Sequence, residues 1–147
     1  MSPLKNKVIV LGVTGGIAAY KACDLASKLR QQGAEVTAVM TESAQQFVTP
    51  LSLQSLTHRP VITSLFAVPE EWEIEHIALA HRASLAVIAP ATANVIGKLA
   101  HGIADDFLTT FVLATQAPIL VCPAMNCEMY AKPIVQENLG ILKARGY

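Results

Sequence analysis

The sequence predicts an α/β protein: a three-layer, flavodoxin-like or Rossmann-like parallel sheet with helices on both faces. Three observations carry this. Four short runs rich in β-branched residues each end in a polar or glycine-rich turn. Helical periodicity fills most of the intervals between them. Those at 8–13, 85–89 and 118–122 are apolar throughout rather than alternating, as strands covered on both faces are.

Residues 7–13 form the first such run and end in Thr14-Gly15-Gly16. Ile17, Ala18, Ala22, Leu25, Ala26 and Leu29 then recur at helical spacing, and Gly33 supplies the stop. Residues 35–40 are the second strand, opening into Thr41-Glu42-Ser43-Ala44, which reads as the cap of another helix. The stretch from Phe47 to Pro69 carries Pro50, Pro60 and Pro69, so a short helix near residues 51–56 and irregular chain beyond are expected. Residues 85–89 and 118–122 are two further buried strands, separated by helical patterns at 95–100 and 107–114. The last helix spans 134–145 with Gly146 as its C′ residue, and Tyr147 reads as the first residue of a segment that does not follow. The expectation is one domain over residues 1–147, cut short.

Length and composition narrow the function. At 147 residues the chain fits one domain with a real core. Its formal charge is zero, with no basic run to neutralise a nucleic acid backbone, which argues against nucleic acid as a partner. Hydrophobic residues make up 52% and charged ones 15%, a balance that implies surface hidden by subunit contacts or a ligand, and hence a homo-oligomer. The first apolar run is too short for a signal segment or a membrane span, so a cytoplasmic protein with no membrane partner is expected. Cys23, Cys122 and Cys127 form no C-x-x-C pair, and His58, His76, His81 and His101 lack ligand spacing with them. A reducing compartment and no metal follow.

In a parallel sheet the turns at Thr14-Gly15-Gly16, Thr41-Glu42-Ser43, Pro90-Ala91-Thr92-Ala93-Asn94 and Pro123-Ala124-Met125-Asn126 fall on one edge. Helix N-termini there offer free N–H groups, and a phosphate-bearing cofactor is the natural tenant. The first turn is neither G-x-G-x-x-G nor a Walker A loop. Glu42 stands where a ribose-binding acid would, but the dinucleotide fingerprint is missing.

Pro-Ala-Met-Asn delivers the uncharged amide of Asn126 to the strand ends. The same residues also fit a plain turn, with the methionines filling core. Thr92 or Asn94 reads equally as an ordinary N-cap. His76 offers imidazole, whose usual pKa of about 6.5 suits proton transfer, although a lone histidine is also commonly structural. Asp105 and Asp106 read as capping or structural, because adjacent residues on a helix diverge. Cys127 has no neighbouring base in sequence and lines a site at most.

Taken together, Gly15-Gly16-Ile17-Ala18-Ala19-Tyr20-Lys21, His76-Ile77-x-Leu79, Ala89-Pro90-Ala91-Thr92-Ala93-Asn94, Gly102-Ile103-Ala104-Asp105-Asp106 and Pro123-Ala124-Met125-Asn126-x-x-Met129 resemble the FMN-dependent cysteine decarboxylases. Within that family the resemblance is to the enzymes acting on phosphopantothenoylcysteine in coenzyme A biosynthesis. It implies that Gly15, Gly16 and Ile17, with Thr41 and Ser43, line FMN, that Thr92, Ala93 and Asn94 hold its phosphate region, and that Ala124 touches the flavin. His76 matches the family's base, and Asn126, with Met129 nearby, the residue that orients the substrate carboxylate.

The implied reaction oxidises the cysteinyl side chain to a thioaldehyde, which serves as electron sink for loss of carbon dioxide. Returning the electrons, with a proton from a cysteine on a substrate-covering loop, gives 4′-phosphopantetheine. Two departures stand out. Val95 replaces a threonine common in relatives, and none of the three cysteines here matches the loop cysteine. The oxidative half is therefore expected at most. Rival readings are a non-catalytic FMN-binding subunit that inhibits a phosphatase and a flavin prenyltransferase, the latter disfavoured by Pro-x-Met-Asn. The resemblance further implies homotrimers, which in some relatives build dodecamers, with FMN between subunits and the histidine supplied by a neighbour.

Overall fold

A computed structural model describes residues 2–66 and 75–147. Four strands, β1 (Val8–Val13), β2 (Glu35–Met40), β3 (Leu85–Ala91) and β4 (Ile119–Pro123), pair in parallel in the order β2-β1-β3-β4. Among the described residues seven α-helices accompany them: α1 (Lys21–Gln31), α2 (Pro50–Thr57), α3 (Glu75–Arg82), α4 (Ala93–His101), α5 (Phe107–Ala114), α6 (Cys127–Tyr130) and α7 (Pro133–Ala144). The doubly wound class expected from the sequence is the one observed.

The continuous apolar runs are explained by two cores, one on each face of the sheet. Ile9, Leu11 and Val13 of β1 point to the side where Ala22, Ala26 and Leu53 of α1 and α2 pack, while Val10 points to the other. In β3, Val87 joins the first side, and Ala86 and Ile88 meet Ile96, Phe107 and Phe111 of α4 and α5 on the second. A two-residue side-chain period with both faces buried leaves no polar position in β1 or β3, whereas β2 carries Glu35 and Thr37, and the edge strand β4, expected to be buried, leaves Leu120 exposed. Gly12 is the exception in size, because a Cβ there would lie 2.6 Å from a Leu108 methyl.

Helix ends follow local chemistry. Gly33 and Gly146 adopt positive φ (86° and 89°) just past α1 and α7, as predicted. Asp106 caps α5 in a capping box, accepting from the Thr109 N–H at 2.8 Å while the Thr109 hydroxyl accepts from the Asp106 N–H at 3.2 Å. Thr92 caps α4 through the Val95 N–H at 3.3 Å.

Several boundaries differ from the expectations. The chain after β1 begins as a 3-10 turn at Ile17–Tyr20 before α1 starts. Thr41-Glu42-Ser43-Ala44 does not cap a helix: it leads into a single 3-10 turn at Ser43–Gln46, and α2 opens separately with Thr49 as cap and Pro50 at its first position. β3 runs on through Pro90 to Ala91, and its register against β4 shifts between Ile88 and Ala91. Proline has no N–H to donate, so the ladder breaks there. Helices α3 and α6 had no sequence expectation. Ile62 makes a parallel bridge to Val39 within the irregular stretch after α2, whose end at Pro69 lies outside the described residues. No helix among the described residues is long and apolar enough to cross a membrane.

Candidate functional site

The strand order turns around between β1 and β3, since the chain steps from β1 to β2 in one direction and from β3 to β4 in the other. Loops leaving neighbouring strands diverge at such a point and open a crevice at the carboxyl edge. A cleft of about 920 Å³ lies there, walled by the turns after all four strands.

Thr14 fixes its floor. This residue is fully buried; its hydroxyl donates to the Pro90 carbonyl at 2.5 Å and accepts from the Thr92 N–H at 3.0 Å, tying the β1 turn to the β3 turn. Gly15 lets the β2 turn close on the β1 turn: a Cβ there would sit 2.3 Å from the Cβ of Ser43 and 2.9 Å from its carbonyl carbon. Thr41 holds the second turn, accepting from the Ala44 N–H at 3.2 Å. On the far wall the Ala124 N–H donates to the Ala91 carbonyl at 3.0 Å, binding the β4 turn to the end of β3.

Gly15, Gly16, Ile17, Thr41, Ser43, Thr92, Ala93, Asn94, Ala124, Asn126 and Met129, all singled out in the sequence, line this one cleft. His76 does not. It sits on α3 with its ring edge-on to Phe107, centroids 6.1 Å apart, and is absent from the cleft wall of its own chain. Cys127 also lies off the wall, and among the described residues no thiol lines the cleft. Burial pushes the Cys23 and Cys122 thiols up, which keeps them protonated at neutral pH. Val95 lines the cleft as well, but it is 3% exposed and belongs to the core cluster that includes Phe107 and Phe111, so packing accounts for its apolar side chain.

Asn126 has a divided role. Its side-chain oxygen accepts from the Glu128 N–H at 2.8 Å and the Met129 N–H at 3.4 Å, which caps α6. That fixes the amide so that its NH2 group, unengaged among the described residues, is a pure donor at the cleft. The Ser43 hydroxyl and Asn94 amide are likewise without partners among the described residues.

Sequence reading missed Lys98 as a wall residue, and it read Asp105 and Asp106 only as structural; all three line the cleft. Lys98 Nζ reaches both carboxylate oxygens of Asp105, at 2.9 and 2.8 Å. Hydrogen bonding and charge from Lys98 hold the Asp105 carboxyl below its ordinary range. The pair is thus intact at neutral pH, and its contribution is lost only as pH falls through that lowered range. The signal available was spacing: Lys98 lies four residues after Asn94, on the same face of α4.

A four-stranded parallel sheet with helices on both faces and a cleft at its turning point rich in hydrogen-bond donors defines a flavodoxin-like ligand-binding protein. The chain belongs to the Flavoprotein family, whose model matches residues 2–147. It is 53% identical over 144 residues to the coenzyme A biosynthesis bifunctional protein CoaBC of Bacillus subtilis, covering 98% of this chain. The chain spans 36% of that relative's length. Among solved structures it resembles the FMN-dependent cysteine decarboxylase SpaF, with a TM-score of 0.90, 34% identity, and coverage of 99% of this chain and 82% of the other. It also resembles a C175S mutant of PPC decarboxylase complexed with pantothenoylaminoethenethiol, at TM-score 0.80 and 32% identity, covering 94% of this chain and 78% of the other.

Proposed function

We propose that this protein binds FMN in the strand-end cleft and decarboxylates 4′-phospho-N-pantothenoylcysteine toward 4′-phosphopantetheine in coenzyme A biosynthesis. The observation that carries the reading is the convergence on one cleft of four strand-end turns, with unengaged hydroxyl and amide groups and the donor face of Asn126. The donor set fits a flavin phosphate and a polar ring edge: the first turn of α4 presents backbone N–H groups, Ser43 and Asn94 offer uncharged side chains, and Ile17 and Met129 give apolar surface. Similarity to the B. subtilis protein and to PPC decarboxylase supports the substrate class.

When bound, FMN would supply the two-electron oxidation that turns the cysteinyl side chain into an electron sink. Asn126 would donate from its amide to the substrate carboxylate, orienting it for loss. His76 would take the proton released in the oxidation. Because His76 faces Phe107 rather than its own cleft, a neighbouring copy would deliver it. A cytoplasmic homotrimer accounts for that need, and for the exposure of Ile17, Tyr20, Leu120 and Tyr130. The described cleft residues include no thiol to return a proton, so they serve the oxidative half. A second reading, a non-catalytic FMN-binding regulator, is supported by similarity to the solved FMN binding protein AtHal3, at TM-score 0.84 and 31% identity.

An anaerobic visible spectrum, taken before and after adding the substrate, tests the reading. Bound oxidised flavin that bleaches on addition is expected. Flavin that ignores the substrate would leave the regulator, and protein without flavin affinity would end both readings.

A further inference from the structure

The charge lining the cleft is lopsided. Among the described residues on its wall, Glu42, Asp105 and Asp106 are acidic and Lys98 is the only cation. Asp106 is committed to its capping box, its Oδ1 accepting from both the N–H and the hydroxyl of Thr109 at 2.8 and 2.7 Å. An anionic ligand entering this cleft therefore meets one cationic side chain among the described residues, Lys98, beside the uncharged donors.

We infer that Lys98 is the anion-recognising residue of the cleft, with Asp105 as its resting counter-ion until a ligand phosphate or carboxylate takes that place. The inference rests on the cleft being the ligand site proposed above. Lys98 projects from the same face of α4 as Asn94, one helical turn on, with its stem largely covered and its side chain 22% exposed. Asp105 is 53% exposed and belongs to the short connection between Gly102 and the α5 cap, most of which is exposed. Exposed pairs of this kind contribute little, so exchanging one carboxylate for another anion has a low barrier. A lysine ammonium is a compact point charge that accepts a phosphate or a carboxylate without demanding fork geometry.

The competing explanation is that the pair only ties the connection to α4. Lys98→Met and Asp105→Asn both break that tie, but only the first removes the cation. Dissociation constants are measured for inorganic phosphate by calorimetry at constant ionic strength, and for FMN and riboflavin by quenching of flavin fluorescence. Lys98→Arg serves as the charge-preserving control. The expected result is at least a tenfold weaker phosphate affinity in Lys98→Met, near wild-type affinity in Lys98→Arg, and equal or tighter affinity in Asp105→Asn. A loss shared by FMN but not riboflavin assigns the anion to the cofactor phosphate. A loss seen with inorganic phosphate and with phosphopantothenoylcysteine, but with neither flavin, assigns it to the substrate. Equal losses in Lys98→Met and Asp105→Asn, or none in either, would overturn the inference. Wild-type protein that binds phosphate through Lys98 but no flavin would uphold it while sinking the flavin reading.

Discussion

Thr14 shapes the cleft from beneath: its one hydroxyl satisfies the Pro90 carbonyl and the Thr92 N–H across the turning point of the sheet. Thr14→Val keeps the volume but strands both backbone groups, at a cost of about 1–3 kcal/mol each. A lowered melting temperature and weakened flavin binding are expected, and Thr14→Ser should recover most of both; equal behaviour of the two variants would show the hydroxyl to be idle. At this scale the sequence was informative wherever a residue type has few alternatives. An uncharged amide at Asn126 and small residues at Gly15 and Gly16 stood out because their chemistry is narrow. Lys98 did not, because a lysine on a helix is ordinarily a solvated side chain and only the chain returning at Asp105 gives it a neighbour.

Elements were legible where pattern and capping agree. Asp106 ahead of Phe107 and Leu108 predicted the start of α5, and the capping box bears it out. Asp106→Ala should cost about 0.5–2 kcal/mol, read as a drop in the urea midpoint with an unchanged m-value. A fall in m would mean instead that α5 detaches from the core, where Phe111 is fully buried. Thr41 misled for a physical reason. Its hydroxyl does meet the Ala44 N–H, but the 3-10 turn that follows ends at Gln46, and Thr49-Pro50 offers a better helix start. α3 gave no signal because its segment follows three prolines, and α6 because four residues are too few to show a period.

For the molecule as a whole, the sheet order β2-β1-β3-β4 brings into one cleft turns that lie up to 111 residues apart in sequence, from Gly15 to Asn126. It leaves His76 on the α3 side against Phe107, so the proposed base and the proposed carboxylate ligand would act in a shared site. With flavin bound, His76→Asn and Asn126→Ala chains should each fail to bleach on adding substrate, and co-expression should restore substrate-dependent bleaching, because some cleft in a mixed oligomer would receive both intact residues. Absence of any rescue, with mixed oligomers demonstrated, would place both roles within one chain.

The sequence alone determined the class of fold, the four strands and their polar turns, and the residue types suited to phosphate, amide and carboxylate contacts. Each of these follows from local periodicity or from the chemistry of a single side chain. Tertiary structure decided that the four turns share one cleft, that Thr14 binds two of them together, that Lys98 meets Asp105, and that His76 is turned away from its own chain's site. These are long-range juxtapositions, set by strand order and packing on both faces of the sheet, and no local pattern encodes them.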